Sequence, residues 1–407
     1  MLATVGLIIV GMVNTTWGVH FLGKTAWALP DDLWATMTAA QRLLHLHVGG
    51  LYTPPTGLIS FPGTALIMVP VVALADLAGI SLHAQSAGDP RPVSWLLAGP
   101  YQIGIGCVAL FAADALAERL GASRPRRGLL ALVGATALWS VTVRWGHPED
   151  AVAVGLLLYA ALALGEGRRA RAGWLTGAAL LVQPLVVLAL PVIAVAVCAG
   201  GEGRLRGLPG FCARAALPSA VGVGVAAAAN WHATYTALTR QPNFPAIDHP
   251  TPWTSLSPHL AAGAVAAGPG RLAALGCACA CGAAFAFLRG RGADPLPWLL
   301  WWAGVSLALR CVFESVMVAY YLWPALQVAL IVAARRLPRL IMTSLIATAV
   351  TFGSQVQSRG PWLWWSLMTA GLVAAMLCAW SGGAAEDGPP ASPGQSHHPG
   401  VTVTRLP

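Results

Sequence analysis

Residues 20–56, HFLGKTAWALPDDLWATMTAAQRLLHLHVGGLYTPPT, decide how the rest of the chain is read. The stretch follows the first apolar segment and is too polar to lie in hydrocarbon. It holds Asp31 and Asp32, two of only 15 acidic residues in the chain. Pro30-Asp31-Asp32 ahead of Leu33-Trp34-Ala35-Thr36-Met37 opens a helix, and one aspartate suffices to cap it. The second aspartate has no such explanation, so one of the pair is expected to carry chemistry.

Outward from this stretch the chain is apolar. Of 407 residues, 57% are hydrophobic and 10% charged, with mean hydropathy +0.67; a typical soluble domain carries about 25% charged residues. The composition predicts an all-α polytopic membrane protein. Apolar segments fall near 3–19, 93–118, 128–143, 151–165, 172–182, 184–199, 213–229, 271–288, 296–312, 318–334, 339–353 and 361–380. The N-terminal one lacks a basic leader and a small-residue cleavage site, so it reads as a first spanning helix. Cys277, Cys279 and Cys281 spread around a helix with no acid or histidine nearby, and read as small packing residues. His45 and His47 face apart in a helix and do not suggest a metal pair. The tail, residues 382–407, is Gly-, Pro- and Ser-rich and reads as disordered.

The net charge of +9 lies in short loops, which marks membrane orientation and not nucleic-acid binding. The basic groups are Arg124/Arg126/Arg127, Arg168/Arg169/Arg171, Arg204/Arg206/Arg214, Arg289/Arg291 and Arg335/Arg336/Arg339. All five share the cytoplasmic side only if residues 57–80 do not cross. That run is therefore expected to be a juxtamembrane helix within a long first outer loop, residues 20–92. The result is a single transmembrane domain, residues 1–381, with about 11–12 crossings and a hairpin turning outside at Gln183-Pro184.

The opposite side gathers mixed charge, and costly polar groups at one end of a membrane bundle mark a site. Arg144-Trp145-Gly146-His147-Pro148-Glu149-Asp150 is one constellation. Pro148, Glu149 and Asp150 suit a helix start, but Arg144 and His147 in the same turn suggest phosphate binding. Arg310 and Glu314 are four apart, either as a structural ion pair or as an arginine oriented toward an anion. Tyr320 and Tyr321 begin the next helix. Residues 240–253 form a Pro-rich loop with Asp248, His249 and Trp253, fit for sugar or lipid-head contact or for a rigid lid. No Ser-His-Asp elbow, phosphate-binding glycine loop or His-Glu-x-x-His occurs.

The order of motifs completes the reading: an outer loop with Asp32, then Ala39-Ala40-Gln41-Arg42-Leu43-Leu44, Leu51-Tyr52-Thr53-Pro54-Pro55 and Pro70. The Gln183-Pro184 hairpin and the ending Arg310…Tyr320-Tyr321…Pro324 follow. This pattern resembles the GT-C superfamily of polyprenyl-phosphate-sugar-dependent glycosyltransferases, and most of all its actinobacterial mannosyltransferases. It departs from the family at Trp34, Ala35 and Thr36, where a tyrosine usually follows the loop aspartate.

The resemblance implies a GT-C-like bundle in the cytoplasmic membrane, with its active site on the extracytoplasmic side. It implies transfer of a sugar, mannose foremost, from a polyprenyl phosphate to a lipid or glycan acceptor. Asp32 or Asp31 would be the base, with spacing to Arg42-Leu43-Leu44 favouring Asp32. Arg310, Arg144, His147 and His249 would hold the donor phosphate. Tyr52, Glu149, Asp150, Gln183, Trp253, Glu314, Tyr320 and Tyr321 would contact substrate. No cofactor is required, since arginines can supply the charge; a role for a divalent cation stays open. The competing classes are a flippase or transporter of lipid-linked sugars, and a non-catalytic envelope-assembly protein. A transporter commonly carries related halves and mid-membrane charges; this sequence shows no internal repeat.

Overall fold

An apolar run can satisfy its backbone in a membrane only by closing its hydrogen bonds internally, which favours helices. The computed structural model of the chain is mostly helical, and describes residues 1–22, 29–54, 56, 58–82, 92–198, 207–246, 248–288, 294–356, 360 and 362–380. Of residues 14–22, Asp31 and Pro92 only the backbone is described. The expected tail and the basic residues Arg204, Arg206, Arg289 and Arg291 lie outside the described residues.

Among the described residues, six helices are long and apolar enough to cross a membrane: Val93–Arg119, Arg124–Trp145, Pro148–Gly165, Gly207–Ala229, Gly270–Leu288 and Leu296–Phe313. Shorter apolar helices include Pro184–Cys198, Ala319–Ala333, Leu337–Gly353 and Leu363–Ala379. The architecture is consistent with an all-α, multi-pass membrane protein. Among the described residues, strand is confined to two pairs, His249–Pro250 against Val316–Met317.

Small residues set how closely the helices pack. A Cβ on Gly155 would lie 2.9 Å from the Ala109 backbone nitrogen, so Pro148–Gly165 sits directly on Val108–Arg119. A Cβ on Gly177 would lie 2.5 Å from Arg214 O, which seats Arg169–Val182 against Gly207–Ala229. At the centre runs Trp323–Ala333, buried at every position. A helix that is apolar on every face but for Gln327 belongs there.

The described residues between the first helix and residue 92 form a cap at one end of the bundle. Its first helix, Asp31–Leu44, is amphipathic and buries Leu33, Trp34, Met37 and Ala40. The juxtamembrane helix expected over 57–80 is two helices, Pro62–Leu66 and Val69–Leu77. Pro62 and Pro70 each sit in a first turn, where the missing N–H costs nothing. The first of the two packs on Arg169–Val182, where a Cβ on Gly63 would fall 2.4 Å from Leu181 O. Thr64 Oγ1 donates to Val182 O at 2.6 Å in the same contact. Leu33, Met37, Leu51, Met68 and Val72 join Trp95 in a second apolar core beneath the cap.

Candidate functional site

The helix that begins at Arg124 changes character before it ends. Its last residues, Ser140–Trp145, widen into a π-helical turn, and Gly146 follows in the left-handed region at φ +70. His147 N–H then donates back to Val141 O at 2.9 Å. Gly146 has a second reason to lack a side chain. A Cβ there would lie 2.7 Å from Pro30 Cγ and 2.9 Å from Pro30 Cβ. The start of Asp31–Leu44 thus rests on Gly146, and this contact brings Asp32 to His147.

His147 stands between two carboxylates. Its Nδ1–H donates to Glu149 Oε1 at 2.7 Å. Its Nε2 lies 3.1 Å from Asp32 Oδ2, an ion pair approached off the N–H axis. One face of the ring stacks on Tyr320, with centroids 4.0 Å apart. Burial opposes charge on the imidazole, but Glu149 and then Asp32 outweigh it and carry His147 up to about 10. Asp32 is held below the usual carboxylate range by His147, against the effect of burial. Its side chain keeps 66% of its surface accessible, so it is charged and open at once.

Asp32 does not cap its helix. Pro30 is the N-cap residue and no side chain caps there. The side chain of Asp31 lies outside the described ones, so the choice between the two aspartates is not made by contact with His147.

Asp32, His147, Glu149, Gln183, Arg310 and Tyr320 line one end of a cavity of about 320 Å³. Arg271, Gln241 and Glu314 line it too, as do Ser60 and Thr64 from the cap. Thr36 apart, its remaining walls are apolar: Ala35, Leu58 and Ile59 from the cap, Pro184, Leu185, Val187 and Leu188 after Gln183, and Ala274, Leu275 and Phe313. Val187 and Leu275 are partly exposed on the outside of the bundle, so this wall reaches the molecular surface.

The arginine expectations need correction. Arg310 and Glu314 do not pair along their own helix, because Glu314 is the C-cap residue and has turned into extended backbone. Arg310 instead reaches Asp150, and its guanidinium carbon lies 3.5 Å from the Tyr321 ring centroid. Asp150 is wholly buried and also accepts from Gln183. Glu314 accepts from Arg271 Nε at 2.8 Å, and Arg271 Nη2 donates to Gln241 at 3.1 Å. Gly270 makes this pairing possible, since a Cβ there would overlap Phe313 O. Arg144 ends the π-helical turn half-buried and is not among the residues lining the cavity.

Five other expected ligands also stand behind the walls: Asp150 and Tyr321, both held against Arg310, and three more. Tyr52 donates to Ser60 O at 2.9 Å and supports the cap wall. Trp253 donates from Nε1 to Val312 O at 3.0 Å and packs on Phe313. His249 stacks flat on Trp364, with centroids 3.6 Å apart and planes 7° from parallel. It pairs with Met317 in the two-residue ladder and is not among the residues lining the cavity, and burial lowers its pKa. The loop 240–253 is pinned down by Thr251, which donates to Glu314 O at 2.7 Å. It carries Asp248 near the site, where burial and the Asp32 charge push the carboxyl up to about 6, against the Phe244 backbone and His147.

Sequence reasoning missed Arg271, Gln241, Ser60 and Thr64. Arg271 had a signal: an arginine after Pro269-Gly270 at the end of an apolar run opposite the basic loops. The hydroxyl and amide residues had none. Among the described residues, no group of three or more His, Cys, Asp or Glu side chains is arranged to hold a metal ion. No protein-family model matches the chain, and no curated protein is similar to it in sequence.

Proposed function

We propose that the protein is an integral-membrane inverting glycosyltransferase of the GT-C type, moving a sugar from a polyprenyl phosphate to a lipid or glycan acceptor. One observation carries the reading: an open, ionised Asp32 shares a cavity with two arginines and an apolar wall that reaches the surface of the bundle. A lipid phosphate has the matching parts, an anion joined to a long hydrocarbon chain. Arg271, Ala274 and Leu275 follow i, i+3, i+4 on one helix and so share a face. A phosphate held at Arg271 would send its chain over Ala274 and Leu275 toward the lipid.

In the reaction Asp32 accepts the proton from an acceptor hydroxyl. The hydroxyl oxygen forms a bond to the anomeric carbon from the face opposite the phosphate, and the carbon–oxygen bond to the phosphate breaks with inversion. The electron pair leaves on the polyprenyl phosphate. Arg271 and Arg310 stabilise its growing charge, a contribution strengthened where water is excluded. The sugar is expected to be mannose, and the cavity to face the extracytoplasmic side of the cytoplasmic membrane.

The test is mannose transfer from polyprenyl-phosphate mannose to lipid acceptor in membranes containing wild type, Asp32→Asn or Asp31→Asn. Loss of transfer in Asp32→Asn is expected. Wild-type rates in both variants would falsify the catalytic reading of this helix.

A further inference from the structure

Resting on that reading of Asp32, we propose that His147 and Glu149 are positioning residues for the base, and that His147 is not a phosphate ligand. The geometry gives an anion no ready access to His147. Nδ1–H is spent on Glu149, Nε2 is buried with Asp32 Oδ2 3.1 Å away off its N–H axis, and one ring face lies on Tyr320. An anion approaching either nitrogen meets a carboxylate first.

The same arrangement gives Asp32 what a base on a cap helix lacks. Asp32 is exposed on a short helix that only rests on the bundle, whereas His147 is fixed by the bundle. The backbone of His147 is set by the left-handed Gly146 and by Pro148. Its ring is set by Glu149, which is 5% exposed and belongs to a long transmembrane helix. A carboxylate that orients an imidazolium, which in turn orients the reacting group, is a recurrent way to hold geometry. The charged and titratable groups facing His147 are Asp32 from the cap, Glu149 from its own helix, Asp248 from the loop 240–253 and Tyr320. Arg310 and its partner Asp150 lie behind Tyr320.

The experiment is the pH–rate profile of sugar transfer for wild type, His147→Gln, Glu149→Gln and Asp32→Asn, with kcat and the donor KM separated. His147→Gln is expected to lower kcat by at least about tenfold, part of the usual worth of general base catalysis. Its donor KM should stay within about twofold. Its acid limb should move up by about one pH unit, because Asp32 loses the cation that keeps it ionised. Glu149→Gln should move the alkaline limb down toward neutral, because His147 loses its stronger partner. A raised donor KM with unmoved limbs would make His147 a phosphate ligand and overturn the proposal. A fall in kcat with both limbs unmoved would also overturn it, as that is the mark of simple damage. The near-isosteric Glu149→Gln decides the matter if His147→Gln does not fold. Wild-type transfer by Asp32→Asn sinks the parent reading; an inactive Asp32→Asn beside unshifted profiles sinks this proposal alone.

Discussion

Nη1 of Arg310 lies 3.4 Å from Oδ2 of Asp150, although 160 residues separate them in the chain. The pair joins Leu296–Phe313 to Pro148–Gly165 at the head of the cavity. Asp150 is fully buried and the Arg310 side chain nearly so. Such pairs add little net stability, but losing one partner strands the other charge at a cost of about 3–5 kcal/mol.

Asp150→Ala is therefore expected to destabilise the protein strongly, with a large fall in the melting temperature in detergent. The double change Asp150→Leu with Arg310→Met should recover most of that loss while abolishing transfer. Fluorimetric melting curves of the three proteins check this, and a double variant no more stable than the single would count against the pair.

Gly146→Ala should separate position from binding. Alanine must hold a left-handed φ, which costs about 1–3 kcal/mol, and its Cβ must displace Pro30. The cap then shifts and carries Asp32 from His147. Transfer should drop while donor affinity stays near wild type, as measured by donor-lipid binding beside turnover.

Stability should depend on pH through His147 with a definite sign. Its folded pKa is raised from 6.5 to about 10. The contribution is therefore full below the unfolded value and lost as pH rises through the folded one. The melting temperature should decline between about pH 6.5 and 10, and the decline should flatten in Glu149→Gln. Melting curves across that range in both proteins provide the check.

Asp248 carries the opposite kind of shift for an acid. Burial raises it to about 6, so its ionised form is penalised in the fold. Asp248→Asn should raise the melting temperature at pH 8 and leave it nearly unchanged at pH 4. Equal effects at both pH values would show that the charge is not the cause.

Arg271→Ala should raise the donor KM by about tenfold, the usual worth of one hydrogen bond to a charged group, with a smaller change in kcat. Arg271→Lys should recover part of the affinity, because a point charge still meets the phosphate but cannot also hold Glu314 and Gln241. Steady-state kinetics with varied donor measure both.

Much of this site was legible in the sequence. Positive-inside patterning grouped Asp32, His147, Glu149, Gln183, Arg310 and Tyr320 before any coordinates did. What it could not supply was pairing. Arg310 and Glu314 look like partners because four residues on a helix share a face, but the helix ends at Phe313 and the relation dissolves. Asp150 and Arg310 meet only through the packing of two helices far apart in the chain. The exposure of Tyr52, Trp253 and His249 was equally unreadable. Tyr52 and Trp253 each reach a backbone carbonyl, and His249 an aromatic ring, that no local pattern announces.

The seat of Pro30 on Gly146 makes the two halves of this molecule interdependent. The Asp32 carboxylate comes from a peripheral helix and the His147 ring from the central bundle, joined where a single added methyl group does not fit. Grafting the segment 29–82 onto another bundle, or swapping it for a relative's, transplants an aspartate without its partner. Any chimera meant to work must carry both sides of that seam.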